Sequence, residues 1–122
     1  DLCEQLSARE CIEKALKISN QPFNVSDIKN MFNLSDERFE RNLEYVSGEI
    51  NRISIAVNFA LGKEIFCFPW LNEHEIINIP ISILNILKKH NKIILIPTSQ
   101  KNYVKKISKH IIVFKCGKVI YK

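Results

Sequence analysis

The sequence predicts an α/β chain in two parts: a small N-terminal helical unit over residues 1–45, then a partial parallel sheet with crossover helices and a terminal hairpin over residues 46–122. Three observations carry this. Up to residue 45, apolar side chains recur only at helical spacing. Beyond Val46, two short continuous apolar runs, Glu64–Phe68 and Lys92–Ile96, each closed by a proline, alternate with helical stretches. The chain then ends on a strand, a tight turn at Cys116-Gly117 and a second strand. Buried strands separated by helices imply crossover connections, and crossovers imply parallel pairing.

Each element has its own local reason. Ser7-Ala8-Arg9-Glu10 is a capping box, after which Ile12, Ala15, Leu16 and Ser19 follow at helical spacing, flanked by Cys11 and Ile18, until Gln21-Pro22. A second helix is expected from Asn24, facing inward with Ile28, Met31 and Phe32. A third follows Ser35, with Phe39 and Leu43 inward and its charged residues solvated. The pattern changes at Val46-Ser47-Gly48, where a helix to Leu61 carries Ile50, Ile53, Val57 and Ala60. Pro80 suits a helix first turn, and Lys88, Lys89 and His90 suit that helix's negative end. A basic helix over about Gln100–Lys109 leads into His110–Phe114 and the closing hairpin strand Val119-Ile120-Tyr121.

Composition narrows the classes. With 122 residues, 46% hydrophobic and 25% charged, the chain reads as one ordinary folded domain, and a net charge of +5 is milder than that of a dedicated nucleic-acid arm. No apolar run approaches the roughly 18–20 residues that a membrane helix needs, and Asp1-Leu2-Cys3-Glu4 lacks the pattern of a secretory leader. Cys3, Cys11, Cys67 and Cys116 are scattered without zinc-ligand spacing; reduced, structural cysteines are expected, with Cys67 buried inside its apolar run.

From Val46 onward, order and spacing resemble the second half of an ABC-type ATPase domain. Val46-Ser47-Gly48-Glu49-Ile50-Asn51-Arg52-Ile53-Ser54-Ile55-Ala56 is similar to that family's signature loop and the start of its helix, one glycine short of the commonest form and closer to the version in polysaccharide-exporting members. Ile111–Tyr121 resembles the family's terminal strand, turn and strand. The resemblance covers essentially the whole chain and implies a partial RecA-like sheet behind a helical subdomain.

It also locates what has been lost. The family's magnesium aspartate falls on Pro69 and its catalytic glutamate on Trp70; proline offers no side-chain oxygen to a metal, and indole cannot take a proton from water. The switch histidine falls at or near Gln100, which can bond a phosphate oxygen but carries no charge. The stretch Leu71-Asn72-Glu73-His74-Glu75 matches poorly where a dimer-facing aspartate is expected. No GxxxxGK[ST] exists, and Gly48, Gly62 and Gly117 are too far apart to cradle phosphates. Phosphoryl transfer is mainly positioning and charge stabilisation by these groups. The chain alone is therefore expected to be no enzyme, with no catalytic residue, no metal and no cofactor of its own.

What the resemblance leaves is a partner's site. Ser47, Gly48 and Glu49 would face ATP held by a P-loop ATPase chain at a composite interface, while residues 1–45 would dock on a membrane permease subunit at the cytoplasmic face. The plainer alternative is that Ser47 only caps its helix. Trp70 could stack on a base or fill the space of the lost magnesium site, the filling role being favoured. His74, between Glu73 and Glu75, is expected in a solvated loop whose neighbours diverge. Lys88, Lys89, Lys92, Lys101, Lys105, Lys106 and Lys109 are read as solvated faces before nucleic acid or anionic lipid is invoked. Two other readings remain: a small basic scaffold that binds RNA or an assembly without transport, and one piece of a split protein whose other half carries the phosphate loop.

Overall fold

The computed structural model describes residues 5–46, 49–77, 79–108 and 110–121, with the backbone alone at Lys101, Ile120 and Tyr121. It divides into two units, residues 1–66 with 81–94 and residues 67–80 with 95–122.

In the first unit, α1 (Ala8–Ser19) opens on the expected capping box: Ser7 Oγ accepts the Glu10 amide, and Glu10 accepts the Ser7 amide, each at 3.2 Å. It closes one residue before Gln21-Pro22. Asn20 adopts the left-handed conformation (φ 54°) and donates its amide to the Leu16 carbonyl. Ala8, Cys11, Ile12 and Ala15 are buried, while Ile18 turns outward. A second capping box, Asn24 with Asp27, starts α2 (Val25–Met31), which buries Ile28 and leads into buried Phe32.

The third helix is shorter than its sequence pattern predicts. α3 spans only Asp36–Phe39, and Leu43 lies in a separate 3-10 turn, Leu43–Tyr45. The reason is competition for the backbone: Asn42 bridges antiparallel to Ser7, and the Leu43 amide donates to the Leu6 carbonyl at 2.9 Å. Those pairings replace the next helical turn.

α4 (Ile50–Ala60) crosses the same core, burying Ile53, Ala56, Phe59 and Ala60. Only Ile53 and Ala60 of the expected stripe are buried; Ile50 is exposed and Val57 half-buried. Phe59 lies at the centre, its ring 5.5 Å from Phe23, 5.4 Å from Phe32 and 5.1 Å from the His90 imidazole. Ser19 Oγ donates to the Ala60 carbonyl at 2.6 Å. The turn after α4 needs Gly62: its φ is +76°, and a Cβ there would meet the Gln21 amide nitrogen at 2.6 Å. Because α1–α3, α4 and α6 (Ile81–Lys89) bury one continuous core with Phe66, residues 1–45 form part of a larger unit.

β1 (Ile65–Cys67) and β2 (Ile93–Leu95) pair in parallel. The Ile93 amide donates to the Glu64 carbonyl and the Phe68 amide to that of Leu95, both at 2.9 Å, so the bonds advance along both strands together. These strands are not the doubly buried runs expected. Phe66 is buried and Ile94 half-buried, joining the core with Ile83 and Leu87 of α6, while Ile65, Cys67, Ile93 and Leu95 stay exposed. A parallel pair is buried on both faces only when crossovers cover both. Cys67 accordingly carries an exposed thiol rather than a buried one; Cys116 is exposed too, and Cys11 is buried.

In the second unit, α5 (Glu73–Ile77) and α7 (Lys101–Ile107) precede β3 (Ile112–Lys115) and β4 (Lys118–Tyr121). The expected hairpin forms, pairing Ile112 with Tyr121, Val113 with Ile120, Phe114 with Val119 and Lys115 with Lys118. Among the described residues it is a sheet of its own, so the architecture is a parallel pair plus an antiparallel pair, and not one sheet. Among the described residues, the buried apolar side chains of the second unit are Leu71, Ile76, Ile79 and Val104.

Candidate functional site at the strand ends

Pro69 and Trp70 follow β1, and Pro97–Gln100 follow β2, so both segments lie at the carboxyl ends of parallel strands, where open α/β sheets place their ligands. Within the second unit the pairing continues past the strands as a parallel bridge between Leu71 and Thr98. The Leu71 amide donates to the Pro97 carbonyl at 3.1 Å, and Thr98 Oγ1 returns a bond to the Leu71 carbonyl at 2.9 Å. The Gln100 amide donates to Thr98 Oγ1 at 3.1 Å, which sets Gln100 as the residue capping α7. Pro69, Trp70 and Gln100 are thus carried on two adjoining strand ends fixed by three hydrogen bonds.

None of the three is acidic or cationic. Trp70 is 63% exposed, so it does not fill an interior space, as the sequence reading favoured; its indole face is open for stacking. Gln100 is half-buried and makes no side-chain cap bond.

Glu73, His74 and Glu75 lie on α5, not in an extended loop. Asn72 Oδ1 accepts the Glu75 amide and Asn72 Nδ2 donates to Glu75 Oε1, both at 2.9 Å. The spacing Asn72-x-x-Glu75 is the signal that could have revealed this helix. Its carboxylates and imidazole are exposed, and no metal-holding group of three His, Cys, Asp or Glu occurs among the described residues.

Ser47 and Gly48 lie outside the described residues. Glu49, next in the signature-like loop, is the capping residue of α4 by backbone alone. Its carboxylate accepts from Ser35 Oγ at 3.0 Å and sits 4.0 Å from Arg52 Nη1, with 14% of the side chain exposed. Glu49 therefore ties the starts of α3 and α4 together and points its charge inward.

The lysines divide. Lys92, with only 10% of its side chain exposed, pairs with Glu64 at 3.5 Å and lies over the Phe59 ring at 5.5 Å, which withdraws it from any surface patch. Lys105 and Lys106 on α7 are exposed. Among the described residues no helix is long and apolar enough to cross a membrane.

Neither the protein-family models nor the curated proteins compared with the chain give a match.

Proposed function

We propose that the chain is a non-catalytic ABC ATPase-like subunit or segment, with a partial RecA-like sheet, that docks on a membrane permease, completes a partner's nucleotide site, or does both. One observation carries the reading. β1 and β2 run parallel with two helices, α5 and α6, between them, and the positions that would hold magnesium, the catalytic base and the switch histidine fall on their adjoining carboxyl ends as Pro69, Trp70 and Gln100. Any parallel pair joined by helices sets the residues after its strands side by side, so the support lies in the order and spacing that put these three positions there. Because neither Pro69 nor Trp70 can hold a metal or activate water, and Gln100 carries no charge, ATP would have to be bound and cleaved by a second chain, with Ser47-Gly48 closing over it.

The test is purification of the tagged chain from its native cells in mild detergent, with calorimetry of the isolated chain alongside. The expected result is a stable complex with a permease or with a chain bearing GxxxxGK[ST], and no heat of Mg-ATP binding for the isolated chain. Where a P-loop chain is recovered, Gly48→Glu should reduce the complex's ATPase activity. Micromolar Mg-ATP binding with turnover by the isolated chain overturns the proposal, as does recovery without either partner.

A further inference from the structure

We propose that the β3–β4 hairpin is a docking surface for an anionic lipid bilayer. The inference is independent of the ATPase reading. Three observations lead to it.

The first is the hairpin's register. Alternation places Ile112, Phe114 and Val119 on one face, with Phe114 directly opposite Val119. These side chains are 56%, 71% and 46% exposed, so a face built from aliphatic and aromatic groups stands in water.

The second is the distribution of charge. The first unit carries eleven basic and eleven acidic side chains, whereas the second carries seven lysines against two glutamates. The whole excess of +5 therefore resides in the unit that holds the hairpin, and the stretch from Leu95 to Lys122 contains no acidic residue at all.

The third is the tip. Cys116 (φ 50°) and Gly117 (φ 75°) both take left-handed conformations, as a narrow two-residue hairpin turn requires. That turn sets exposed Lys115 directly across from exposed Lys118. Like charges facing each other across strands are destabilising unless an anion lies between them.

Lys115 and Lys118 lie on the face opposite Ile112, Phe114 and Val119, so the tip of the hairpin is amphipathic and, laid flat, matches the boundary between acyl chains and anionic headgroups. Ile112, Phe114 and Val119 would enter the interface, while the long lysine side chains on the outer face reach phosphate or carboxylate groups of the headgroup layer. RNA is the poorer match, because Ile112 and Val119, on either side of Phe114, offer bases nothing to stack on.

The test is co-sedimentation of the full chain with two vesicle preparations, phosphatidylcholine alone and an equimolar mixture with phosphatidylserine. Binding is expected to the mixed vesicles only and to weaken with salt. Each lysine at such a surface is worth about fivefold in partitioning, so the double variant Lys115→Gln/Lys118→Gln should bind about 25-fold more weakly. Phe114→Ser should also lose most of the binding with an unchanged circular dichroism spectrum. Lys14→Gln/Lys17→Gln, on exposed positions of α1, serves as the charge-matched control and should bind like the original chain. Equal binding to phosphatidylcholine alone, an equal loss in the α1 control, or a single-stranded RNA that displaces the chain from mixed vesicles at lower concentration than the lipid would each overturn the proposal.

Discussion

Ser7 and Glu10 exchange two hydrogen bonds across the first turn of α1, and Ser7 is itself buried. Ser7→Ala removes the acceptor for one helix amide and leaves no alternative partner, so a loss of about 1 kcal/mol is expected. Ser7→Asp should retain most of the stability, and thermal melts of the two variants distinguish a lost cap from a lost packing contact. Lys29 and Asp36 make a different kind of statement. The Lys29 ammonium donates to the Asp36 carboxylate and attracts its charge, which holds the carboxyl below its ordinary value. A carboxyl depressed in the folded state adds stability above its unfolded value, and this is lost as pH falls through the folded one. Because Asp36 is exposed, the effect is expected to be small in melting and clear in titration. Lys29→Met should move the Asp36 midpoint upward in an NMR titration; an unmoved midpoint would sink the assignment.

At the scale of elements, α4 provides the sharpest test. Phe59 packs on Phe23, Phe32 and His90, so Phe59→Ala should cost about 3–5 kcal/mol in urea denaturation, enough to unfold much of the first unit. Val57→Ala, at a half-buried position, should cost far less; equal losses would mean that α4 is rotated. This helix also shows where the sequence is ambiguous. Ile50, Ile53, Ile55, Val57 and Phe59 put apolar groups around most of its circumference, so periodicity admits two stripes, and only the partners on α1, α2 and α6 choose between them. The Ser7–Glu10 cap, the helix start at Asn24 and the Cys116-Gly117 turn were legible because each depends on residues within a turn of one another. α5 carries an equally local signal in Asn72-x-x-Glu75, but its five residues add too little periodicity to set that signal against a cluster of charges. The exposure of Ile65, Cys67, Ile93 and Leu95 was illegible for another reason: an apolar run states that a strand should be covered, not that a covering element is present. At the strand ends, the identities of Pro69, Trp70 and Gln100 could be read directly, but the Leu71–Thr98 bridge that sets them on adjoining ends is long-range and could not.

For the molecule as a whole, the two units differ in what holds them. Among the described residues, the first rests on a core of fifteen buried side chains, with four aromatic and imidazole ring pairs in it or packed against it. The second shows four buried apolar side chains among its described residues and carries all the excess charge, so repulsion opposes what burial it has. Local opening costs least where few apolar groups are buried and backbone bonds face water. Amide hydrogen exchange by mass spectrometry should therefore show α1 and α4 protected close to the limit set by global unfolding, while α7 and the β3–β4 hairpin exchange orders of magnitude faster. The same measurement separates the two proposals made for the chain. Vesicles containing phosphatidylserine should slow exchange in the hairpin and leave α1 unchanged, whereas a P-loop partner should slow the segment after Val46, where Ser47-Gly48 would close over its ATP. A hairpin already as protected as α4 in the free chain would mean that the second unit is closed on its own, leaving its apolar face with no need of a partner.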